Sequence, residues 1–512
     1  VSDSPFCVVI RADASAQIGL GHVKRSLSLA QALSSLGADV HLLTRHLGVD
    51  IRPFASAAGI HIEFLPSPAT PFEGDEAIAH SHWAGVPWQE DAGDSIAAIG
   101  ASKPDWMIVD HYAFDARWHR QVAQTLACSL AVVDDLADRS LDAQIVVDHN
   151  YAVDHRAKYA GLIDATTRIL GGPRFALLSS AYTGVAQYSF SDEVRSIGIF
   201  MGGIDAPDWS SVVLRACREQ AGYKGSIEIV TTTANPNLSS LSSLIRRWPS
   251  TQLQVDLPDL ADFFRRHDLQ IGAGGGATWE RLRVGAPSLA VACAANQAPI
   301  ISELARLGAV ATVRSSTDMS MLAIGQAVRE LIESPNSRQE IAERARTLVD
   351  GKGALRVALT LSADRLTLRA AEVDDARLIY EWRNHPVTRV VSGNPAAIEW
   401  ATHASWLGKV LADPDRILQI ATIGALPVGV IRYDSVGGAE AEVSLYLDPN
   451  LHGLGLGGAM LQAGEAYVRQ RFHKVRRLVA TVLVGNLASR RMFEAAGYVS
   501  RDERSVVKDL MA

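Results

Sequence analysis

The chain of 512 residues has only four cysteines, Cys7, Cys128, Cys217 and Cys293, with no CxxC pair and no clustered spacing. That excludes a disulfide framework and a zinc ribbon, and leaves small apolar fillers in a reducing compartment. A basic surplus is missing too: 49 Lys and Arg face 56 Asp and Glu, for a net charge of −7. Nucleic acid is therefore not expected as a partner. No uninterrupted apolar run reaches the ~18 residues that a membrane-spanning helix needs. No basic segment followed by an apolar stretch stands at the amino terminus, so a cytoplasmic protein with no membrane partner is expected. Repeats and low-complexity tracts are also absent. What is present is a long chain, 48% hydrophobic and 21% charged, which implies two to four globular domains.

From residue 6 to about residue 360, apolar strand-like runs alternate with amphipathic helical ones, the pattern of parallel α/β sheets. Strands are predicted at 6–10, 39–43, 106–110, 130–134, 144–148, 196–201, 226–231, 268–272 and 288–292. Most lead into Gly, Asp or Asn at their carboxyl ends, the edge where open α/β sheets place ligands. A polar break around 180–195 separates two such arrays, and a second boundary falls between Gly351-Lys352-Gly353 and Asp364. The expected domains are 1–185, 186–360 and 365–512. Beyond residue 365 the pattern changes to a strand at 366–369, helices after Asp374 and around 399–411, strands at 417–423, 427–433 and 441–447, and a helix from Ala459.

Three glycine-rich junctions carry the chemistry. The first is Ile18-Gly-Leu-Gly-His22, between the strand at 6–10 and a helix through Lys24 and Arg25. A glycine turn there lets backbone approach a ligand, and the helix start offers free N–H groups to phosphate. His22 stands at the same point, where an imidazole can take a proton from water. The second is Ile271-Gly-Ala-Gly274-Gly275-Gly276-Ala-Thr278-Trp-Glu280. Its glycines can cradle a diphosphate, Thr278 lies in the first helical turn, and Glu280 can accept ribose hydroxyls. Neither junction is a GxxxxGK[ST] loop, and Lys24 stands where a dinucleotide fingerprint needs its third glycine, so ATP hydrolysis and NAD are disfavoured. Two Rossmann-like domains in tandem, each with such a turn, fit a GT-B-like architecture holding a nucleotide-sugar. Asp134, Asp135 and Asp138 have a DDxxD spacing without a second acidic cluster and read as loop and cap residues. His80 and His82 lack a third ligand, and Trp83 and Trp88 read as loop packing. No metal is expected.

Arg11-Ala-Asp-Ala-Ser15, Gly19-Leu-Gly21-His22-Val-Lys-Arg25, Val109-Asp-His-Tyr112, Asp134-Asp-Leu-Ala-Asp138-Arg139, Gly202-Gly203 with Asp205, Asn235-Pro-Asn237 and Ala294-Ala-Asn296-Gln297 resemble the UDP-sugar hydrolase family of pseudaminic acid biosynthesis. The resemblance spans residues 6 to about 360. It implies removal of UDP from UDP-2,4-diacetamido-2,4,6-trideoxy-β-L-altropyranose, with water as acceptor. It further implies His22 as the base that activates water and Tyr112 beside the sugar. Asn296, Gln297, Glu280 and the loop glycines, Gly21 included, would bind substrate. Arg25 would join backbone amides in stabilising the departing diphosphate. A single displacement by water gives inversion. Rival readings are a true GT-B glycosyltransferase and a sugar-nucleotide-binding regulator.

The third junction is His452-Gly453-Leu-Gly455-Leu-Gly457-Gly458, after Val443–Leu447. With Val484-Gly-Asn486 and Gly497-Tyr498 it makes residues 365–512 resemble a GNAT acyltransferase of α+β fold. That resemblance implies acetyl-coenzyme A on the amides of this loop, with Leu447, His452, Gly453, Gly455, Gly457 and Gly458 around it and Asn486 at the pantetheine arm. His452 replaces the usual Arg or Gln. Phe493 stands where many members carry a proton-donating tyrosine, leaving Tyr446, Ser489 and Tyr498 as acids and Glu381 and Glu442 as bases. Tyr380-Glu-Trp-Arg-Asn384 is similar to GNAT enzymes that acetylate nucleotide-linked amino sugars. This implies acetylation of the 4-amino UDP-sugar that precedes the hydrolase substrate, unless the domain is catalytically quiet.

Overall fold

The computed structural model of the protein describes residues 6–100, 102–313 and 320–510. The backbone forms two compact units, one drawn from most of residues 6–357 and the other from 358–510.

The larger unit contains two sheets. In the first, the order is Ala14–Ser15, Asp39–Leu47, Cys7–Ala12, Trp106–Asp110, Ser129–Val133, Ile145–Asp148, Arg168–Gly171, with His61–Leu65 on Asp39–Leu47. Every pairing is parallel. The chain starts in the Cys7–Ala12 strand, builds outward on one side, then crosses back to lay Trp106–Asp110 on the other. The order therefore reverses between these two strands, and the crevice at their carboxyl ends is where such sheets receive ligands. Val8, Ile10, Met107, Ile108, Val109 and Leu130 are fully buried because helices cover both faces, so the strands read as continuous apolar runs.

The second sheet repeats the design in the order Thr251–Val255, Ser226–Thr231, Ser196–Phe200, Leu269–Ala273, Ser288–Val291, Ala311–Thr312, again all parallel. Its reversal lies between Ser196–Phe200 and Leu269–Ala273. One face packs Ile197, Ile199, Ile229 and Ile271 on Val213, Leu214 and Val328. The other packs Val230 and Ala290 on Phe263, Phe264, Trp279 and Leu304.

The smaller unit is a mixed sheet: Thr367–Ala370, Arg416–Ile423, Leu426–Ser435, Glu440–Leu447, Arg477–Thr481, Ser505–Asp509, Val499–Ser500. All its pairings are antiparallel except Glu440–Leu447 with Arg477–Thr481. Helices Ala376–Asn384 and Trp400–Ala412 bury Ile379, Trp382 and Leu407 against Leu418, Ile420 and Val430 on one face. Helix Leu456–Arg471 lies on the other. Each predicted strand is present within two or three residues at its ends, Asp39–Leu47 excepted, which runs four further. Among the described residues, no helix is long and apolar enough to cross a membrane.

Candidate functional site

The first site grows from a buried ionic floor. Arg11, inside the first strand, has both faces covered, and its charge must be met there. Its guanidinium bonds Asp13 and reaches Asp91 at 2.7 Å. Arg45 adds a 3.0 Å bond to Asp91, and Trp118 Nε1 donates to the same carboxylate at 3.1 Å. Asp13 also accepts the Arg45 amide at 2.7 Å, and His111 Nε2 lies 3.2 Å from it. This network fixes the carboxyl ends of the two strands that flank the crevice.

Above it the chain turns through Ser15, whose hydroxyl accepts the amide of Ile18, and Gly19, whose φ of +79° an L side chain rarely adopts. The helix Gly21–Ser35 starts there, so His22 sits in its first turn. Its side chain is 8% exposed, and Nδ1 lies 2.6 Å from Oδ1 of Asp110, the last residue of the neighbouring strand. Arg25 closes on the same carboxylate through Nε at 2.7 Å and Nη2 at 2.6 Å, and Ser26 Oγ donates at 3.1 Å. Burial opposes charge on Asp110, but Arg25 and His22 outweigh it and hold the carboxyl well below its usual range. An ionised carboxylate only accepts, so Nδ1, closer to Asp110 at 2.6 Å than to Arg25 Nη2 at 3.2 Å, carries the proton and the lone pair is left on Nε2. Among the described residues Nε2 makes no hydrogen bond, yet it is not sealed from solvent.

Aromatic rings wall this imidazole. Tyr112 meets it edge-on at 4.6 Å, Trp83 lies 6.1 Å away, and His80 lies against Trp83 at 4.5 Å with the rings tilted by 42°. The Tyr112 hydroxyl donates to Asp135, which also accepts Asn150 Nδ2 at 3.1 Å. Burial and then the Asp135 charge push the phenol well above its ordinary range, so it stays protonated.

At the second sheet, the loop after Leu269–Ala273 divides its glycines between two tasks. A Cβ on Gly272 or Gly274 would collide with Arg281 or Ile301, so these two allow close packing. A Cβ on Gly276 would meet nothing, and one on Gly275 only Gln297 at 3.8 Å, so backbone is open there for a ligand. Gln297 Oε1 staples the loop by accepting the amides of Gly274 at 3.1 Å and Cys293 at 3.0 Å. Thr278 is buried, its hydroxyl donating to Ala273 O at 3.2 Å. Glu280 accepts the Tyr182 hydroxyl at 2.9 Å, and burial raises its carboxyl against the pull of Lys24. Lys24 belongs to the His22 helix, and Trp279, beside Glu280, meets His149 at the end of the first sheet's Ile145–Asp148 strand at 5.9 Å, so the helix after the second glycine loop lies against the first sheet's ligand edge. The Asn296 side chain lies outside the described residues.

The second site lies in the smaller unit, where Glu440, Ala441 and Glu442 pair with Arg477, Leu478 and Val479 and the strands then part. From Val443 to Leu447 the backbone has no strand partner on that side among the described residues, an open edge able to take an extended ligand. Gly453 (φ +81°) and Gly455 (φ +79°) turn the chain into the Leu456–Arg471 helix. A Cβ on Gly457 would strike Met492, whereas one on Gly458 would meet nothing. Asn486 accepts the Ser489 amide at 3.1 Å, capping the Leu487–Ala495 helix. Phe493 is buried edge-on to Tyr498 at 4.9 Å. Burial pushes the phenols of both Tyr446 and Tyr498 upward. Glu442 marks the fork, accepting Thr481 Oγ1 at 3.1 Å, while Glu381 is exposed and paired with Arg377 at 2.6 Å.

Residues 365–499 match the family model of an acetyltransferase (GNAT) domain. The chain is 22% identical over 358 residues to the spore coat polysaccharide biosynthesis protein SpsG of Bacillus subtilis, covering 69% of this chain and 97% of that protein. It is 24% identical over 302 residues to the UDP-2,4-diacetamido-2,4,6-trideoxy-beta-L-altropyranose hydrolase of Campylobacter jejuni, covering 59% and 97% respectively. Among solved structures, MurG of Acinetobacter baumannii aligns over 69% of this chain and 98% of its own, at 16% identity and a TM-score of 0.49. The amino-terminal portion is a GT-B-like pair of parallel α/β sheets, distantly related to SpsG and to the hydrolase. A GNAT acetyltransferase domain follows it.

The structure thus gathers His22, Arg25 and Tyr112 at one crevice and Gly275, Gly276 and Glu280 opposite. Arg25, expected at the diphosphate, is clamped on Asp110, because a buried carboxylate demands a partner. The hydroxyls of Thr278 and Tyr112 are likewise spent inside the protein. Sequence reasoning quoted Asp110 within a motif without giving it a role, read Trp83 as loop packing, and read Asp135 as a loop or cap residue. Asp110 carried a signal: a carboxylate ending a buried strand at the reversal point faces the ligand edge.

Proposed function

We propose that the protein is a bifunctional nucleotide-sugar enzyme of pseudaminic acid biosynthesis. Its amino-terminal lobes, 1–185 and 186–360, hydrolyse UDP-2,4-diacetamido-2,4,6-trideoxy-β-L-altropyranose with inversion. Its 365–512 domain N-acetylates the 4-amino UDP-sugar precursor with acetyl-coenzyme A, both reactions taking place in the cytoplasm. The observation that carries the hydrolytic reading is the His22–Asp110 pair beside an open glycine loop. Asp110 holds the proton on Nδ1, so Nε2 accepts a proton from water as oxygen attacks the anomeric carbon. The C1–O bond breaks with its electrons going to the β-phosphate, and the carboxylate stabilises the imidazolium formed. Open amides around Gly275 and Gly276, with Gly21 opposite, meet the diphosphate, whose release needs little protonation. Glu280 and the Asn296–Gln297 segment bind the nucleotide. Tyr112 and Trp83 exclude competing acceptors from the imidazole.

In the acetyltransferase, Leu447, Gly453, Gly455 and Gly458 line the cosubstrate path, His452 and Gly457 shape its turn, and Asn486 approaches the pantetheine. Glu442 at the fork serves as base. The test is to incubate the full chain with the diacetamido UDP-sugar alone. Stoichiometric UDP and free inverted sugar are expected; release of UDP only when a second sugar or lipid acceptor is added would replace hydrolysis by glycosyl transfer.

A further inference from the structure

In the smaller unit Arg383, near Tyr446, and its neighbour Arg389 are half-buried, each with one guanidinium nitrogen sealed from solvent, and among the described residues neither has a counter-ion. Arg383 ends the Ala376–Asn384 helix and donates Nη2 to Asn394 O at 3.0 Å, while Nη1 is buried with no acceptor. Asn384 grips Ile398 through both its amide atoms, at 2.9 and 2.8 Å, so the 391–398 loop is tied down over this spot. Arg389, from the next short helix, has a buried Nε with no acceptor either. Among the described residues neither guanidinium has a carboxylate within ion-pair distance, whereas nearby Arg432 has Asp434 at 2.9 Å to balance its charge, although its buried Nε too lacks a well-directed hydrogen bond. Tyr446 joins them: its hydroxyl is 3.5 Å from Ile379 O, one turn before Arg383 on the same helix. Burial and adjacent Arg389 lower the Arg383 pKa, while the Tyr446 side chain opposes that shift. Guanidinium N–H groups taken from water without acceptors are costly, and an anion at this spot would supply both the acceptors and the missing counter-charge.

We propose that Arg383 and Arg389 form the receptor for the phosphate groups of a nucleotide-linked acetyl acceptor. The proposal rests on the acetyl-transfer reading given above. The shared chemistry is a phosphate ester, which coenzyme A also carries, but the faces differ. Leu445 lies on the side of the Leu456–Arg471 helix, its Cδ1 3.8 Å from a Cβ on Gly457. Tyr446, the next residue of the strand, points to the opposite face. The arginines therefore sit across the sheet from the cosubstrate's amide cradle.

The test follows thiol release by the full-length protein with two amines: a UDP-linked 4-amino sugar and the same sugar without the nucleotide. Wild type should favour the linked amine by roughly tenfold or more in kcat/KM, the scale of charge-assisted hydrogen bonds. Arg383→Gln and Arg389→Gln should each raise KM for the linked amine by about that factor, with KM for acetyl-coenzyme A and the constants for the free amine held. Arg383→Lys, which keeps the charge, should recover part of the loss. Equal losses on both amines, or a rise in KM for acetyl-coenzyme A alone, would overturn the proposal. Acetylation of neither amine by wild type would instead overturn the acetyl-transfer reading, and the proposal with it.

Discussion

His22 Nδ1 and Asp110 Oδ1 meet at 2.6 Å although 88 positions separate them in the chain. They meet because Ala12 and Asp110 are register partners on adjacent parallel strands, and the helix bearing His22 leaves the sheet at that level. An amide in place of the carboxylate would no longer hold the proton on Nδ1 or stabilise an imidazolium. Asp110→Asn should lower kcat for UDP release by roughly 10²–10⁴-fold, and His22→Ala by a similar factor. Acetyl transfer by both variants should match wild type. Wild-type UDP release from either variant would remove the pair from the mechanism.

The nucleotide loop separates fold from binding at neighbouring glycines. Gly276 has open space at its Cβ position and no positive φ, so Gly276→Val should melt within about 2 °C of wild type, as unstrained surface changes do. It should nevertheless lose UDP affinity by tenfold or more, read by calorimetry, because the added methyls stand over the open amides. Gly274→Ala drives its Cβ into Ile301 and should lower stability by about 1–3 kcal/mol. Equal melting temperatures for the two would contradict this division.

The central strands were legible because burial on both faces writes them as unbroken apolar runs, as in Trp106–Asp110 and Ser196–Phe200. Edge strands were not: His61–Leu65 and Thr251–Val255 alternate exposed polar residues that a pattern of buried strands does not register. At the site, glycine-to-helix junctions announced themselves locally. Pairings such as Tyr112 with Asp135, or Arg25 with Asp110, are set by which strands lie adjacent, and no local spacing encodes that. The open fork after Glu442 was equally invisible, since it depends on where hydrogen bonding between two strands stops.

Asp91 tests the ionic floor. It is fully buried and holds Arg11, Arg45 and Trp118 together. Asp91→Ala leaves two guanidinium groups short of an acceptor in an apolar surround and should cost about 3–5 kcal/mol in urea unfolding. A change under ~1 kcal/mol would mean that water or Asp94 takes over the bonds.

Burial lowers the His119 pKa from 6.5 to about 3, with Arg139 and Arg120 adding to the effect. A histidine held neutral in the folded state binds its proton mainly when unfolded. Its stabilising contribution is therefore whole above pH 6.5 and lost as pH falls toward 3, at up to about 1.4 kcal/mol per pH unit. In His119→Gln the slope of unfolding free energy between pH 6.5 and 4 should be shallower by that amount. An identical slope would show that the imidazole reaches solvent in the native protein.

The acetyltransferase loop offers the same separation of roles as the nucleotide loop, but at a different glycine. Gly455 needs its positive φ and Gly457 packs on Met492, so bulky residues at either position disturb the turn itself. Gly458, in the first turn of the Leu456–Arg471 helix, has nothing within reach of a Cβ and an ordinary φ. Gly458→Val should therefore fold normally, yet its methyl groups would stand where helix-start amides meet a pyrophosphate. Acetyl-coenzyme A affinity should drop by tenfold or more while UDP release stays intact. Unchanged affinity in a normally melting variant would place the cosubstrate elsewhere than the open edge after Glu442.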